Sequence, residues 1–282
     1  MSIFYTKTEL SSFLRAKENS NVSFGLVPTM GALHAGHLSL VKKALSENER
    51  VVVSIFVNPT QFDNATDLDK YPRNLENDIH VLKALSEEII VFAPSIEDMY
   101  DAKVKSKAFD FDGLDKVMEG RFRSGHFEGV GTIVELLLKA VSPDRAYFGE
   151  KDFQQLQIIR KLVEIQNLEV EIVGCPIERE SNGLAMSSRN ERLSNELRQK
   201  AGFIYKTLET AKQKFGTESA KQIVDWVELQ FEANDTLELE YFSIADEETL
   251  GAIRTREKNK KYRAFIAVYA DEVRLIDNLK LN

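Results

Sequence analysis

The sequence predicts an α/β protein: a doubly wound parallel sheet followed by a second, smaller α+β domain. Three observations predict it. Short, nearly all-apolar runs alternate with segments of helical periodicity through the first 176 residues. The alternation stops after Pro176, where a polar stretch leads into two helical segments and then three strand-like ones. The chemically unusual stretches all fall just after strands. Right-handed crossovers gather those loops on one edge of a parallel sheet, where such sheets bind ligands.

Taken in order, FGLVPT (24–29) is a short apolar run ended by proline and a threonine, and it predicts a strand. HLSLVKKALSENE (37–49) places Leu38, Leu40, Val41, Ala44 and Leu45 on a helical stripe. RVVVSIFVNP (50–59) is β-branched and predicts a strand buried on both faces. NLENDIHVLKALSE (74–87) is helical, with Leu75, Ile79, Leu82 and Leu85 on one face. EIIVFAP (88–94) is the third strand, VGTIVELLLKAV (130–141) a helix stopped by Ser142-Pro143, and RAYFGE (145–150) the fourth strand. DFQQLQIIRKLVEIQN (152–167) is helical and LEVEIVGCP (168–176) the fifth strand. Five such alternations make a Rossmann-like sheet. The loops at its carboxyl edge are TMGALHAGH, NPTQFDNATDLDKYPR, PSIEDMY and GEKD. Beyond 176, ERESNGLAMSSRN (178–190) reads as loop, ELRQKAGFIYKTLETAKQKF and SAKQIVDWVELQFEA as helices, and TLELEYFSIA, YRAFIAVYA and VRLIDNLKL as strands. The last two strands form a hairpin around Asp271-Glu272. The predicted domains are therefore 1–176 and 177–282.

With 282 residues, 43% of them hydrophobic, the chain is ample for a buried core. A net charge of −8 argues against a protein that coats nucleic acid, though not against a local basic pocket. The single cysteine, Cys175, excludes an internal disulfide and reads as a core residue of a protein from a reducing compartment. No apolar run reaches bilayer length, and the N-terminal stretch lacks the apolar core of a secretory signal, so a soluble cytoplasmic protein is expected.

The stretch LVPTMGALHAGHLSLV (26–41) concentrates the chemistry. Gly31 and Gly36 let the backbone turn tightly beside a ligand. The helix start beyond them offers unpaired amide N–H groups and a positive dipole end, which together form an anion site. His34 and His37 add donors suited to a triphosphate under attack at its α-phosphorus. Two other readings compete: His37 bonding a carbonyl at the helix start, or half a zinc site, for which two ligands are too few. In GEKD, Lys151 is a cation at a helix start and Asp152 fits an N-cap. Asn58 and Gln61 follow a buried strand that Pro59 ends; Gln61 offers both a donor and an acceptor, as any loop glutamine does. Ser187 and Ser188 beside Arg189, in the interdomain loop, have the composition of a phosphate clamp and equally of an ordinary solvated surface.

The turn His34-Ala35-Gly36-His37 resembles the HxGH-type signature of nucleotidyltransferases and class I aminoacyl-tRNA synthetases. Together with SIFVNPTQF, YPR, GHFEGV, FGEKDFQQL, NGLAMSSRN and RLIDN, in order from residue 24 to about 280, it resembles the pantoate–β-alanine ligase (pantothenate synthetase) family. The resemblance implies ATP-dependent condensation of pantoate with β-alanine through a pantoyl adenylate, releasing AMP and pyrophosphate. It implies ATP as substrate, Mg²⁺ as its companion, and a homodimer formed through the larger domain. It implies that Met30, Gly31, Ala32, Leu33, His34, Ala35, Gly36, His37, Gly149, Glu150, Lys151, Asp152, Glu178, Met186, Ser187, Ser188 and Arg189 hold ATP. His34, His37 and Lys151 would be catalytic, Gln61, Gln155 and Asn58 would bind substrate, and Asp78 would help hold Mg²⁺. The segment 186–189 would play the part that KMSKS plays in the synthetases, with the smaller domain as a lid. GRFRSGHFEGV (120–130) departs from the family at Ser124, usually proline, and at Phe122; no role is carried over to its His126. A sister nucleotidyltransferase acting on a phosphorylated alcohol would share the histidine turn, and a non-catalytic nucleotide-binding module is the reading from another class.

Overall fold

The computed structural model describes residues 1–15, 22–62, 65–100 and 103–282. Among them, six strands form one sheet: β1 (Ser2–Phe4), β2 (Phe24–Thr29), β3 (Arg50–Ile55), β4 (Ile90–Phe92), β5 (Arg145–Gly149) and β6 (Glu171–Cys175). Their order is β1-β4-β3-β2-β5-β6, and every pairing is parallel. The sequence predicted five of them. The sixth, β1, is three residues long, too short for periodicity to reveal, and is identified only by its ladder with β4. β2 pairs with both β3 and β5. Chain order runs outward from β2 to β4 on one side and from β5 to β6 on the other, so the switch point lies between β2 and β5. The loops that follow these two strands carry the histidine turn and the GEKD segment.

The helices are α1 (Lys7–Arg15), α2 (Ala35–Glu47), α3 (Ala65–Lys70), α4 (Leu75–Leu85), α5 (Ile96–Tyr100), α6 (Glu119–Phe122), α7 (His126–Val141), α8 (Phe153–Ile165), α9 (Asn195–Lys200), α10 (Phe203–Phe215) and α11 (Ala220–Glu232). α3 and α5 lie inside stretches expected to be loop; Asp63 and Asn64, in the first of these, lie outside the described residues. α2 begins at Ala35, which places His37 within the helix and His34 at its cap. α7 begins at His126, one turn earlier than its apolar periodicity indicates. The helical stretch expected over 196–215 divides at Ala201-Gly202. A Cβ on Gly202 would lie 2.6 Å from the Asn182 carbonyl oxygen, so this glycine permits a close backbone approach.

The chain forms two compact units. The first comprises Met1–Asp115, Gly120–Glu150 and Gln155–Pro176; the second comprises Lys116–Glu119, Lys151–Gln154 and Ile177–Asn282. Two short segments read from sequence as part of the larger domain thus belong, by their contacts, with the second unit. The parallel sheet buries Val27, Val51, Val53 and Val91 against Val41, Ala44 and Leu82 of its helices. Cys175 ends β6 in this core, and burial pushes its thiol up to about 11.

In the second unit β7 (Glu238–Asp246), β8 (Tyr262–Ala270) and β9 (Val273–Lys280) form an antiparallel sheet. β8 and β9 join through the expected Asp271-Glu272 turn, with Asp271 left-handed at φ 51. Ile204, Leu208, Ile223 and Val227 of α10 and α11 share its core with Ile244, Ile266 and Val268. On β9, the Arg274 guanidinium forks onto Glu119 at 2.6 and 2.8 Å and also reaches Glu240 at 3.0 Å. The Tyr241 hydroxyl donates to Glu119 at 2.8 Å. Gln154 accepts from the Glu119 N–H at 3.0 Å and donates to the Val117 carbonyl at 2.8 Å. These bonds fasten Lys116–Glu119 to the second unit. Removing Glu119 leaves Arg274 half-paired in a poorly solvated place, so Glu119→Ala is expected to destabilise the fold by roughly 3 kcal/mol, measured by urea unfolding at neutral pH.

Candidate active site

The loop after β2 is built around a buried carboxylate. Gly31 and Ala32 are both left-handed, at φ 86 and 49. That pair of conformations turns successive amide N–H groups inward, and Ala32 and Leu33 donate to Asp78 Oδ2 and Oδ1 at 2.9 and 2.7 Å. Gly31 is required here: a Cβ would lie 3.0 Å from Asp78 Oδ2 in a conformation that side chains rarely adopt. Asp78, in the first turn of α4, is 1% exposed. Burial pushes its carboxyl above the usual range, while the two amide bonds pull it back. Both carboxylate oxygens accept loop amides, so the buried group anchors the loop.

The loop delivers two imidazoles to the start of α2. His34 is the N-cap: its Nδ1 accepts the Gly36 N–H at 3.1 Å, and its own N–H donates to His37 Nδ1 at 3.3 Å. This is a capping box made of histidines. The rings lie 4.1 Å apart, tilted by 39°. With each Nδ1 accepting a backbone N–H, the proton of each neutral ring sits on Nε2, so both rings are Nε2–H donors at a helix N-terminus. His37 thus caps a backbone amide through Nδ1. The zinc reading finds no third ligand: among the described residues no group of three His, Cys, Asp or Glu side chains is placed to hold a metal.

After β3, Pro59–Gln61 forms one 3₁₀ turn. Asn58 is 1% exposed, and its side chain is engaged throughout. It donates to Gln61 Oε1 and to the Gly129 carbonyl, both at 3.1 Å, and it accepts from Thr60 at 3.1 Å and from the Tyr100 hydroxyl. Asn58 therefore supports Gln61. The Gln61 amide also approaches Met30 Sδ at 2.9 Å, which joins this turn to the loop after β2. Burial raises the Tyr100 hydroxyl pKa, keeping it a donor. Ser124 lies in the turn between α6 and α7, closed by His126 N–H to the Arg123 carbonyl at 3.3 Å with Gly125 at φ 74. Gln155 sits half-buried in the first turn of α8. Lys151 lies in the 3₁₀ turn Glu150–Asp152 ahead of that helix.

In the second unit, the Lys151 ammonium lies 3.8 Å from Asp152, a loose pair. The segment expected to clamp phosphate is a 3₁₀ turn, Ser188–Arg192, whose N-cap Ser187 accepts from the Arg189 N–H at 3.3 Å. Ser188 is buried; Met186 and Arg189 are half-buried. Glu178 is exposed, and its carbonyl accepts from the Met186 N–H at 2.9 Å. Adjacent residues of β9 brace these pieces. Asp277 takes the Arg179 guanidinium at 2.6 and 2.9 Å, which holds the base of the 179–185 loop, and Asn278 donates to the Lys151 carbonyl at 2.8 Å. Sequence reasoning missed Tyr100, Asp277 and Asn278 as supports. The available signal was two consecutive polar residues interrupting an apolar strand, LIDNL.

A family model described as pantoate-beta-alanine ligase matches residues 2–280. Pantothenate synthetase of Christiangramia forsetii is 58% identical over 282 residues, covering both chains in full. That of Flavobacterium psychrophilum is 55% identical over 281 residues, again 100% of each chain. Among solved structures, pantothenate synthetase from Thermus thermophilus superposes with a TM-score of 0.91 at 39% identity, over 100% of this chain and 99% of that one. The pantoate-beta-alanine ligase of Francisella tularensis, complexed with beta-gamma ATP and beta-alanine, gives 0.81 at 35% identity, over 100% and 98%.

Replacing Asp78 by Asn sets an NH₂ group against an amide donor that has no other way out of the core. Asp78→Asn is expected to lose about 1–3 kcal/mol of stability, measured by chemical denaturation, and to weaken ATP binding measured by calorimetry on the folded variant.

Proposed function

The chain belongs to the pantoate–β-alanine ligase family, whose ATP-dependent reaction it carries out, and we propose how its own residues divide that work. The likeness to curated pantothenate synthetases along the whole chain is the observation that carries this reading. Pantoate's carboxylate attacks the α-phosphorus of ATP and expels pyrophosphate; the amine of β-alanine then attacks the acyl adenylate and expels AMP. The first half needs no base, since a carboxylate is already a nucleophile. It needs alignment and neutralisation of the charge that builds on the phosphate oxygens.

In this assignment His34 and His37 present their Nε2–H groups to those oxygens, backed by the N-terminus of α2. Lys151 supplies the ammonium, and Ser187, Ser188 and Arg189 hold the phosphates. Met30 to Gly36, Gly149, Glu150, Asp152, Glu178 and Met186 line the nucleotide. Gln61 and Gln155 recognise pantoate, with Asn58 as the support of Gln61. His37 is the group assigned to proton handling in the amide-forming half. Mg²⁺ arrives with ATP as its counter-ion, and Asp78, whose oxygens keep lone pairs beyond the two loop amides, would help hold it. The 177–282 region acts as a lid over ATP, the enzyme is a homodimer, and it works in the cytoplasm. In support of the last, no helix among the described residues is long and apolar enough to cross a membrane.

Four measurements check this reading. AMP release should require ATP, pantoate and β-alanine together; release without β-alanine or without pantoate would point to a sister transferase. His37→Ala and Lys151→Ala should each slow pantoyl adenylate formation at least tenfold in rapid-quench experiments, about 1.4 kcal/mol of barrier, and bursts at the parental rate would remove both from the mechanism. Solution scattering should contract on adding ATP with pantoate, and light scattering should give twice the chain mass.

A further inference from the structure

The third imidazole of the sequence motifs, His126, has no part in the scheme above, yet it is 6% exposed and bonded to the element that carries Gln61. Its Nδ1 lies 2.6 Å from the Gln61 carbonyl oxygen. A carbonyl only accepts, so Nδ1 carries the proton. Its Nε2 faces Arg123 Nη1 at 3.1 Å. A guanidinium only donates, so Nε2 accepts, and the two neighbours together fix one neutral tautomer. Arg123 Nη2 adds a second, longer donor to the same carbonyl at 3.4 Å.

The other end of the turn is gripped by the same helix. The Gly129 carbonyl, one turn along α7, accepts from Asn58 at 3.1 Å. A Cβ at 129 would lie 2.3 Å from the Thr60 carbonyl oxygen, so only glycine lets this backbone abut the turn. Pro59–Gln61 is a three-residue turn whose last amide bond, Phe62 N–H to the Pro59 carbonyl, is long at 3.4 Å. Such a turn does not hold itself rigid. Its orientation is set by the first turn of α7.

We propose that His126 is a positioning residue for pantoate: its Nδ1–H fixes the Gln61 backbone, and thereby aims the Gln61 side chain at the substrate. This rests on the assignment of Gln61 to pantoate. In this assignment His126 acts through Gln61.

The test compares three substitutions at 126 with one at 61, each checked for folding by circular dichroism. Asparagine places its amide nitrogen close to where Nδ1 sits; glutamine and alanine do not. His126→Gln and His126→Ala should raise the KM for pantoate about tenfold with the KM for ATP unchanged, whereas His126→Asn should stay within about threefold of the parent (tenfold corresponds to about 1.4 kcal/mol). The Asn–Gln comparison decides the matter even where His126→Ala does not fold. An unchanged pantoate KM in His126→Gln, or equal losses in Asn and Gln variants, overturns the proposal. Gln61→Ala separates the two ideas. If it raises the pantoate KM while His126→Gln does not, only the positioning role fails; if it leaves that KM unchanged, the assignment of Gln61 fails and the proposal with it.

Discussion

A buried carboxylate meeting two backbone amides sets up the rest of this molecule's chemistry. Asp78 reaches from α4 to the loop after β2 and binds Ala32 and Leu33, in a place where water cannot compete for either partner. That contact forces the left-handed step at Gly31 and Ala32, and the step decides where α2 begins. Two residues later the chain enters the helix with His34 as cap and His37 in its first turn. The strain of a non-glycine residue at φ 49 is offset by charge-assisted bonds that exist only in this conformation.

The same economy of backbone bonding recurs at each piece of the candidate site. The braces come from distant parts of the chain. Asn58 bonds Gln61, and Tyr100 bonds Asn58. Asp277 and Asn278, neighbours on β9, hold the 179–185 loop and the Lys151 turn respectively. A dipeptide on one strand thus sets the position of two segments that lie more than twenty residues apart in sequence.

How much of this was legible depends on what each feature rests upon. Runs such as RVVVSI and the stripe in VGTIVELLLKAV state their structure through periodicity, and the alternation of strand with helix fixed the sheet's class and the edge where its loops gather. Ser2–Phe4 was invisible because a three-residue strand exists only through its partner β4. The early start of α7 was hidden because His126, Phe127 and Gly129 owe their helical state to packing on the Pro59–Gln61 turn. The place of the histidine turn, between a strand and a helix start, was readable from the glycines and the apolar runs around it. The loop contacts of Asp78 were not legible, because acids in the first turn of a helix are common and these partners lie about 45 residues earlier.

The position of Cys175 has a practical side. The chain has one thiol, it is 2% exposed, and burial holds it in the protonated form. Maleimide dyes and nitroxide spin labels will therefore pass over it under native conditions. New surface cysteines, one on each sheet, can be labelled in the otherwise unaltered sequence, and the separation between the two probes can be followed through turnover by fluorescence transfer or pulsed dipolar spectroscopy.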